Sequence, residues 1–476
     1  MTASRNHFGR QTTWVAVLDA LCLTAGVVLG IASRLGWDSL PGYLRQHLAA
    51  WVIFCGTVIA ANGLSGSYGV QIRFSRFNLL VGWAFSLAMG WLVLSITSYA
   101  TLLDTLLGRG VLVLTTLSYS VLWLISKIVL YRYLLRSPRF SYRIAILGTE
   151  ASAREISDLV ENKSIVPAHK VVAFVRLSQS SAGAPPAHSS VIRGIPVIAV
   201  TPEEFPDVVR SMGVEVVIIG FQSPQDARVA YPQLTRLRFE GVTVLTALDI
   251  TEICAGRIPI RWIDETWLMQ TSMMTAAPVI TRLKQVIDIA VSFLALILAA
   301  PFALLIALAI KLSAPASPVF YSQERVGQFG KTFRIHKFRT MIDKAEQAGA
   351  AVWSPPNDPR VTLIGRLLRR FRLDEIPQLL NVLRGQMSLV GPRPERPELV
   401  AMLEKEIPFY RERENVMPGL TGWAQIRHPY GSSIDDARAK LEYDLYYIKN
   451  LSLTLDLQIV LRTIRVVLFG MERHVR

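Results

Sequence analysis

The chain has 476 residues, 51% of them hydrophobic, and a formal charge of +15. Its mean hydropathy of +0.34 is too high for an ordinary soluble protein, and its length gives room for about three domains. The basic excess suits anionic lipid head groups or phosphorylated substrates. No nucleic acid partner is expected, because the basic residues flank apolar segments instead of forming one long patch. Cys22, Cys55 and Cys254 show no paired spacing, so neither a disulfide framework nor a zinc site is implied.

Four apolar runs fill residues 1–136, at about 13–32, 48–64, 79–99 and 110–131. Each is long enough, or nearly so, to cross a ~30 Å hydrocarbon core as a helix. The first run has no small-residue cleavage site after it and reads as a retained span. Arg5 and Arg10 precede it, Arg73 and Arg76 lie between the second and third runs, and Lys127, Arg132, Arg136, Arg139 and Arg143 follow the fourth. Positive charge stays on the cytoplasmic side, so both ends of this four-span bundle are expected there. Asp19 lies inside the first span. An intramembrane carboxylate can mark a pathway, but a polar contact within the bundle is the favoured reading.

Residues 137–270 change character. YRIAILG (142–148), VVAFV (171–175), IPVIAV (195–200), VEVVIIGF (214–221) and GVTVLTAL (241–248) read as strands, with helical stretches between several of them. That alternation predicts a parallel sheet of Rossmann type. The first turn reads Gly148-Thr149-Glu150-Ala151-Ser152. A dinucleotide fingerprint needs a second glycine where Glu150 stands, and an acid there repels pyrophosphate. The domain is therefore read as a structural or regulatory module. The Pro/Ala/Ser-rich stretch 179–190 reads as a surface loop.

A fifth apolar run, Ile289–Ile310, has Pro301 near its middle and basic residues on both flanks: Arg282 and Lys284, then Lys311, Arg325 and Lys331. Both flanks then belong in the cytoplasm. A helix over 287–312 that enters the membrane, bends at Pro301 and returns meets that demand, because proline removes a backbone hydrogen bond and kinks the helix. Further on, 441–470 mixes aromatics, aliphatics and scattered cations. It reads equally as a helix in the headgroup plane or as one packed in a core.

The densest chemistry lies at 371–394, FRLDEIPQLLNVLRGQMSLVGPRP. The adjacent acids Asp374 and Glu375 follow a segment holding Arg360, Arg366, Arg369, Arg370 and Arg372 and no acid. Guanidinium groups grip phosphate oxygens in a fixed fork. Two neighbouring carboxylates can hold a divalent cation or supply a nucleophile. The pattern points to phosphoryl chemistry.

These pieces together resemble the bacterial sugar transferase family, the polyprenyl-phosphate hexose-1-phosphate transferases. The resemblance covers about 279–470: the apolar helix with its proline, PVFYSQERVGQFGKTFRIHKFRTM, LDEIPQLLNVLRGQMSLVGPRP, and MPGLTGWAQIRHPYG followed by YDLYYIKNLSLTLDL. The bundle and the middle domain resemble the long-chain branch of that family. The resemblance implies a membrane α-helical bundle (1–136), an α/β Rossmann-like domain (137–270) and an α/β catalytic domain with a re-entrant membrane helix (279–476). It implies transfer of a sugar-1-phosphate from a UDP-sugar to undecaprenyl phosphate with release of UMP, initiating exopolysaccharide, capsule or O-antigen assembly. The site would lie on the cytoplasmic face of the bacterial inner membrane, among membrane lipids. Asp374 would attack the β-phosphate and form a covalent phosphosugar intermediate. Glu375, with Asp374, would hold Mg²⁺. Arg369 and Arg393 match phosphate-contacting positions, and Lys337 and Arg339 are further clamps. The family often carries serine before the mid-helix proline, and this chain has Ala300-Pro301. The bend then rests more on proline and neighbouring helices. A homodimer through the middle domain stays open.

Two rivals remain. A membrane-anchored nucleotide-sugar dehydratase needs an intact glycine fingerprint and a Tyr-x-x-x-Lys, and the chain has neither. A non-catalytic regulator of polysaccharide assembly leaves the acid–arginine constellation unexplained.

Overall fold

A computed structural model describes residues 3–64, 76–101, 107–130, 142–163, 169–177, 191–221, 228–270, 278–342, 359–428, 431 and 433–469. The expected loop 179–190 and the basic positions Arg73, Arg132, Arg136 and Arg139 lie outside them, as do Pro429 and Tyr430 of the MPGLTGWAQIRHPYG motif. The chain divides into two compact units, Met1–Ala255 and Gly256–Arg476.

The first unit opens with helices α1 (Ala3–Leu35), α2 (Leu40–Gln46), α3 (Leu48–Leu64), α4 (Arg76–Thr101) and α5 (Arg109–Val129). Among the described residues, Val15–Leu35 and Arg109–Val129 are long and apolar enough to cross a membrane, and Leu40–Gln46 with Leu48–Gly63, bent by 79°, makes a further candidate. The four runs read from the sequence fall on α1, α3, α4 and α5. Leu23, Ile31, Phe54, Val58, Leu94, Tyr119 and Trp123 form their shared core. Asp19 is indeed a contact within this bundle. It is 2% exposed, its Oδ2 accepts from Asn62 Nδ2 at 3.1 Å, and its Oδ1 accepts from the Tyr119 hydroxyl at 3.3 Å. Interhelical hydrogen bonds of this kind join helices in a medium that offers no water.

The same unit holds a six-stranded sheet in the order β3-β4-β2-β1-β5-β6. Its strands are β1 (Tyr142–Gly148), β2 (His169–Leu177), β3 (Val191–Ile192), β4 (Ile195–Val200), β5 (Val216–Gly220) and β6 (Thr243–Thr246). All neighbours pair in parallel except β3 and β4. The sheet is therefore mixed, not parallel throughout as the sequence predicts. Arg193 and Gly194 have φ of 55° and 79°. A two-residue turn with both φ positive joins antiparallel strands, so it folds β3 back onto β4. Helix α6 (Glu150–Lys163) follows β1 directly and buries Ala153, Ile156, Leu159 and Val160, an i, i+3, i+6, i+7 stripe.

The second unit is built around α7 (Pro278–Ser313), which runs through Pro301 without a break in its assigned span. Ile280–Ser313 is a further helix long and apolar enough to cross a membrane. Its middle exposes Phe293, Leu294, Ile297, Leu298, Phe302, Leu304 and Leu305. Both ends are fastened to the unit. Near the start, Lys284 Nζ donates to Asp456 Oδ2 at 2.7 Å and lies 3.5 Å from Asp288 Oδ2, which accepts from Ser388 Oγ at 2.5 Å. Near the end, Ile310 packs with Phe338 and Leu368, and Ile306 and Ala307 join them.

Next comes an antiparallel hairpin, β7 (Phe320–Val326) and β8 (Thr332–Phe338), in register from Phe320↔Phe338 to Val326↔Thr332. Helices α8 (Leu363–Arg370), α9 (Leu379–Leu383), α10 (Pro397–Glu406), α11 (Trp423–Arg427), α12 (Ile434–Lys449) and α13 (Leu453–Phe469) follow. A short parallel pair, β9 (Ser388–Val390) and β10 (Gly419–Thr421), joins two of the motifs. The 441–470 segment packs in the core over α12 and less so over α13. Leu441, Leu445, Tyr447 and Ile448 of α12 are buried, whereas α13 buries Leu455 and Ile459 and exposes Leu457, Leu461 and Ile464.

Candidate active site

The acid pair sits where a helix is stopped. Thr362 caps α8, its Oγ1 accepting from Gly365 N at 2.9 Å. A Cβ on Gly365 would stand 2.1 Å from the Thr340 carbonyl oxygen, so only glycine lets α8 come this close to the end of β8. Arg369 Nε donates to Thr340 Oγ1 at 2.9 Å and ties the last turn of α8 to the same residue. Arg372 then takes φ 53°, ψ 23°. This left-handed backbone costs an arginine about 1–2 kcal/mol and ends the helix. The chain turns into a 3-10 segment, Leu373–Gln378, carrying Asp374 and Glu375. Asn381, fully buried just beyond, clips this segment to β8. Its Nδ2 donates to the Arg334 carbonyl at 2.8 Å and its Oδ1 accepts from His336 N at 3.4 Å.

Arg393 is delivered by interlocked backbone. Gly391 N donates to the Thr421 carbonyl at 2.9 Å, and Gly419 N donates to the Pro392 carbonyl at 2.8 Å. A Cβ on Gly419 would lie 2.0 Å from Gly391 N. The GPRP and MPGLTG motifs, separate in sequence, are thus one packed unit. Two further arginines hold the turn: Arg413 Nη2 donates to the Arg393 carbonyl at 2.9 Å, and Arg325 Nη1 donates to the Pro394 carbonyl at 3.1 Å. Arg413 is itself fixed by the Tyr410 hydroxyl at 2.8 Å and by Asp444 Oδ2 at 2.9 Å.

Asp374 and Glu375 are each 8% exposed. Glu375 Oε1 accepts from Arg393 Nη2 at 2.8 Å and from Lys337 Nζ at 3.4 Å, while Oε2 lies 3.7 Å from Arg372 Nη1. Among the described residues no hydrogen bond holds the Asp374 carboxylate. Burial alone would push the Glu375 carboxyl up, but Arg393, Lys337 and Arg372 outweigh it and hold it well below the usual carboxylate range. Burial pushes Asp374 up, and the neighbouring Glu375 charge adds to this; Lys337, Arg369 and Arg393 only partly offset it. Burial also lowers the Lys337 ammonium to about 8, with Glu375 opposing and Arg393 assisting. Two adjacent carboxyls pushed in opposite directions are suited to different roles.

The structure brings together five of the residues singled out in the sequence: Asp374, Glu375, Lys337, Arg369 and Arg393. Arg339 touches neither acid. Its N donates to the Val319 carbonyl at 2.9 Å, and its Nη1 is buried without a hydrogen bond among the described residues. Pro301 lies in α7 and has no part in the cluster. Sequence reading gave no site role to Arg413, Arg325 or Asn381, which hold the motifs in place. It gave Arg372 no role of its own.

Helices apolar enough to cross a membrane, together with an acid pair inside a cage of cations, mark a membrane protein suited to anionic ligands. Residues 279–470 match the family model described as bacterial sugar transferase. A UDP-N-acetylgalactosamine-undecaprenyl-phosphate N-acetylgalactosaminephosphotransferase of Aeromonas hydrophila is 43% identical over 237 residues, 50% of this chain and 55% of that protein. The exopolysaccharide production protein PSS of Rhizobium leguminosarum bv. phaseoli is 43% identical over 188 residues, 38% of this chain and 93% of that protein. A UDP-glucose:undecaprenyl-phosphate glucose-1-phosphate transferase of Escherichia coli (strain K12) is 42% identical over 184 residues, 38% of this chain and 39% of that protein. The chain belongs to the bacterial sugar transferase family. It spans about half the length of the Aeromonas relative and less of the Escherichia one.

Proposed function

We propose that the chain transfers a hexose-1-phosphate from a UDP-sugar to undecaprenyl phosphate, giving undecaprenyl-diphosphate-sugar and UMP, the initiating step of a surface polysaccharide. The observation that carries this is the acid pair: one carboxylate clamped by Arg393, Lys337 and Arg372, its neighbour buried beside them without a hydrogen bond among the described residues. Asp374 is the nucleophile in this reading. Its oxygen attacks the β-phosphorus, the bond from that phosphorus to the bridging oxygen breaks, and UMP leaves with that oxygen. The acceptor's phosphate oxygen then attacks the same phosphorus and releases Asp374. Arg369 and Arg393 bind phosphate oxygens and offset the repulsion between two anions, and Lys337 keeps Glu375 charged and in place.

The donor set fits Mg²⁺. Asp374 and Glu375 offer hard carboxylate oxygens on adjacent residues, and Mg²⁺ commonly takes one or two carboxylates with substrate phosphates and water. No cluster of three acid, histidine or cysteine ligands occurs among the described residues, so phosphate and water would complete its shell. When bound it would neutralise charge on the diphosphate.

The remaining readings concern placement. A helix re-entering one leaflet is supported by the fastening of both ends of α7 to one unit, through Lys284 and Asp288 at the start and Ile306 and Ile310 at the end. The site then lies at the cytoplasmic face of the inner membrane, where a UDP-sugar and a lipid phosphate meet. The sheet of the first unit serves as a Rossmann-like module without a nucleotide role. The test is a panel of UDP-sugars, including UDP-N-acetylgalactosamine and UDP-glucose, assayed for UMP release in the presence of undecaprenyl phosphate. Release with one of them is expected, and none with any would overturn the reading.

A further inference from the structure

Of the cations around the acid pair, Arg372 has spent the least. Arg393 gives Nη2 to Glu375 at 2.8 Å, Lys337 gives its ammonium to the same oxygen at 3.4 Å, and Arg369 gives Nε to Thr340. Arg372 faces Glu375 Oε2 at 3.7 Å, too far for a hydrogen bond. No hydrogen bond from its guanidinium exists among the described residues. Its side chain is 32% exposed, so solvent and a ligand can reach it. Its backbone is held left-handed between the end of α8 and the acid pair, only two residues from Asp374. A strained backbone kept at a site, carrying a fork of unused donors, is a feature that begins with an outlier and asks for a function.

We propose that Arg372 is a substrate-binding residue that leaves Glu375 for the diphosphate of the incoming nucleotide-sugar. This rests on the reading of the chain as a UDP-sugar transferase. Glu375 Oε1 keeps both of its partners, Arg393 at 2.8 Å and Lys337 at 3.4 Å, so the carboxylate stays anchored when Arg372 turns away. Oε2, which Arg372 Nη1 approaches at 3.7 Å, is the oxygen that becomes free. Phosphate offers the guanidinium a bidentate partner, which the 3.7 Å contact to Glu375 does not.

The test uses the full-length protein in detergent micelles and UDP as the probe. Arg372→Asn keeps a residue that tolerates the left-handed conformation, and Arg372→Gly keeps the turn free of strain should the asparagine variant aggregate. UDP binding is followed by calorimetry at fixed Mg²⁺. Either variant is expected to bind UDP about tenfold more weakly, the size of one charge-assisted hydrogen bond, and Arg372→Lys should recover part of the loss. UDP affinity equal to the wild type's, with only the turnover rate reduced, would show that Arg372 merely holds Glu375 and would overturn the proposal. A wild type that binds UDP yet releases no UMP from any UDP-sugar would contradict the transferase reading instead.

Discussion

The second unit contains two clusters in which buried carboxylates meet cations, and they are finished differently. Around Lys284 the chain satisfies itself. The ammonium sits between Asp456 and Asp288, Ser388 caps Asp288, and the Tyr447 hydroxyl donates to Asp456 Oδ1 at 2.8 Å. Around Asp374 and Glu375 the chain leaves matters open. Arg393, Lys337, Arg372 and Arg369 surround two carboxylates, one of them without a hydrogen bond among the described residues. A closed cluster holds structure, because every group has its partner. An open one with surplus positive charge is a place for an anion from outside.

The sharpest way to break this contrast is at the open cluster. Asp374→Asn keeps the shape and removes the attacking charge. UMP release is expected to fall at least about a thousand-fold, while the melting temperature in detergent stays at the wild-type value. Near-normal turnover would remove Asp374 from its role. The closed cluster should respond the opposite way. Lys284→Met leaves Asp288 and Asp456 buried without their cation, which costs about 3–5 kcal/mol. Melting and yield are expected to drop, and the activity per folded molecule to survive.

Smaller effects sharpen the comparison. Arg369→Lys and Arg393→Lys keep the charge and lose the fork. Each is expected to lower kcat/KM about tenfold, or 1.4 kcal/mol. Full activity in both would make them surface charges. The pH profile of the rate gives the finest contrast. Lys337 is charged below about 8 and neutral above it, so the rate should decline as pH rises through about 8. Asp374 is raised by burial, so the rate should fall on the acid side as the nucleophile takes up a proton. Arg stays charged across this range, so Lys337→Arg should remove the alkaline limb while leaving the acid one.

The contrast also explains what the sequence could reveal. LDEIP and GPRP were legible because their chemistry is contiguous: acids, arginines and a rigid turn within a few residues. The four apolar runs and most of the strands were legible from length and composition. The partners were not. Lys284 and Asp456 are 172 residues apart, and Ser388 and Asp288 are 100 apart. Nothing local connects them. The left-handed turn at Arg372 carries no glycine or asparagine to signal it. The antiparallel β3–β4 hairpin rests on a two-residue turn in which only Gly194 hints at its conformation. Arg413 lies in the charged run Arg411-Glu412-Arg413-Glu414, where nothing local marks it as the residue that holds the carbonyl of Arg393.

The central claim is that Asp374 carries the sugar phosphate between donor and acceptor. Exchange of labelled UMP into the UDP-sugar, measured in the complete absence of undecaprenyl phosphate, tests this most directly. A covalent intermediate on the protein allows the first half-reaction to run forward and back without the lipid. Exchange is therefore expected in the wild type and not in Asp374→Asn. If label enters the UDP-sugar only when the lipid phosphate is added, transfer is direct and the covalent role of Asp374 is contradicted.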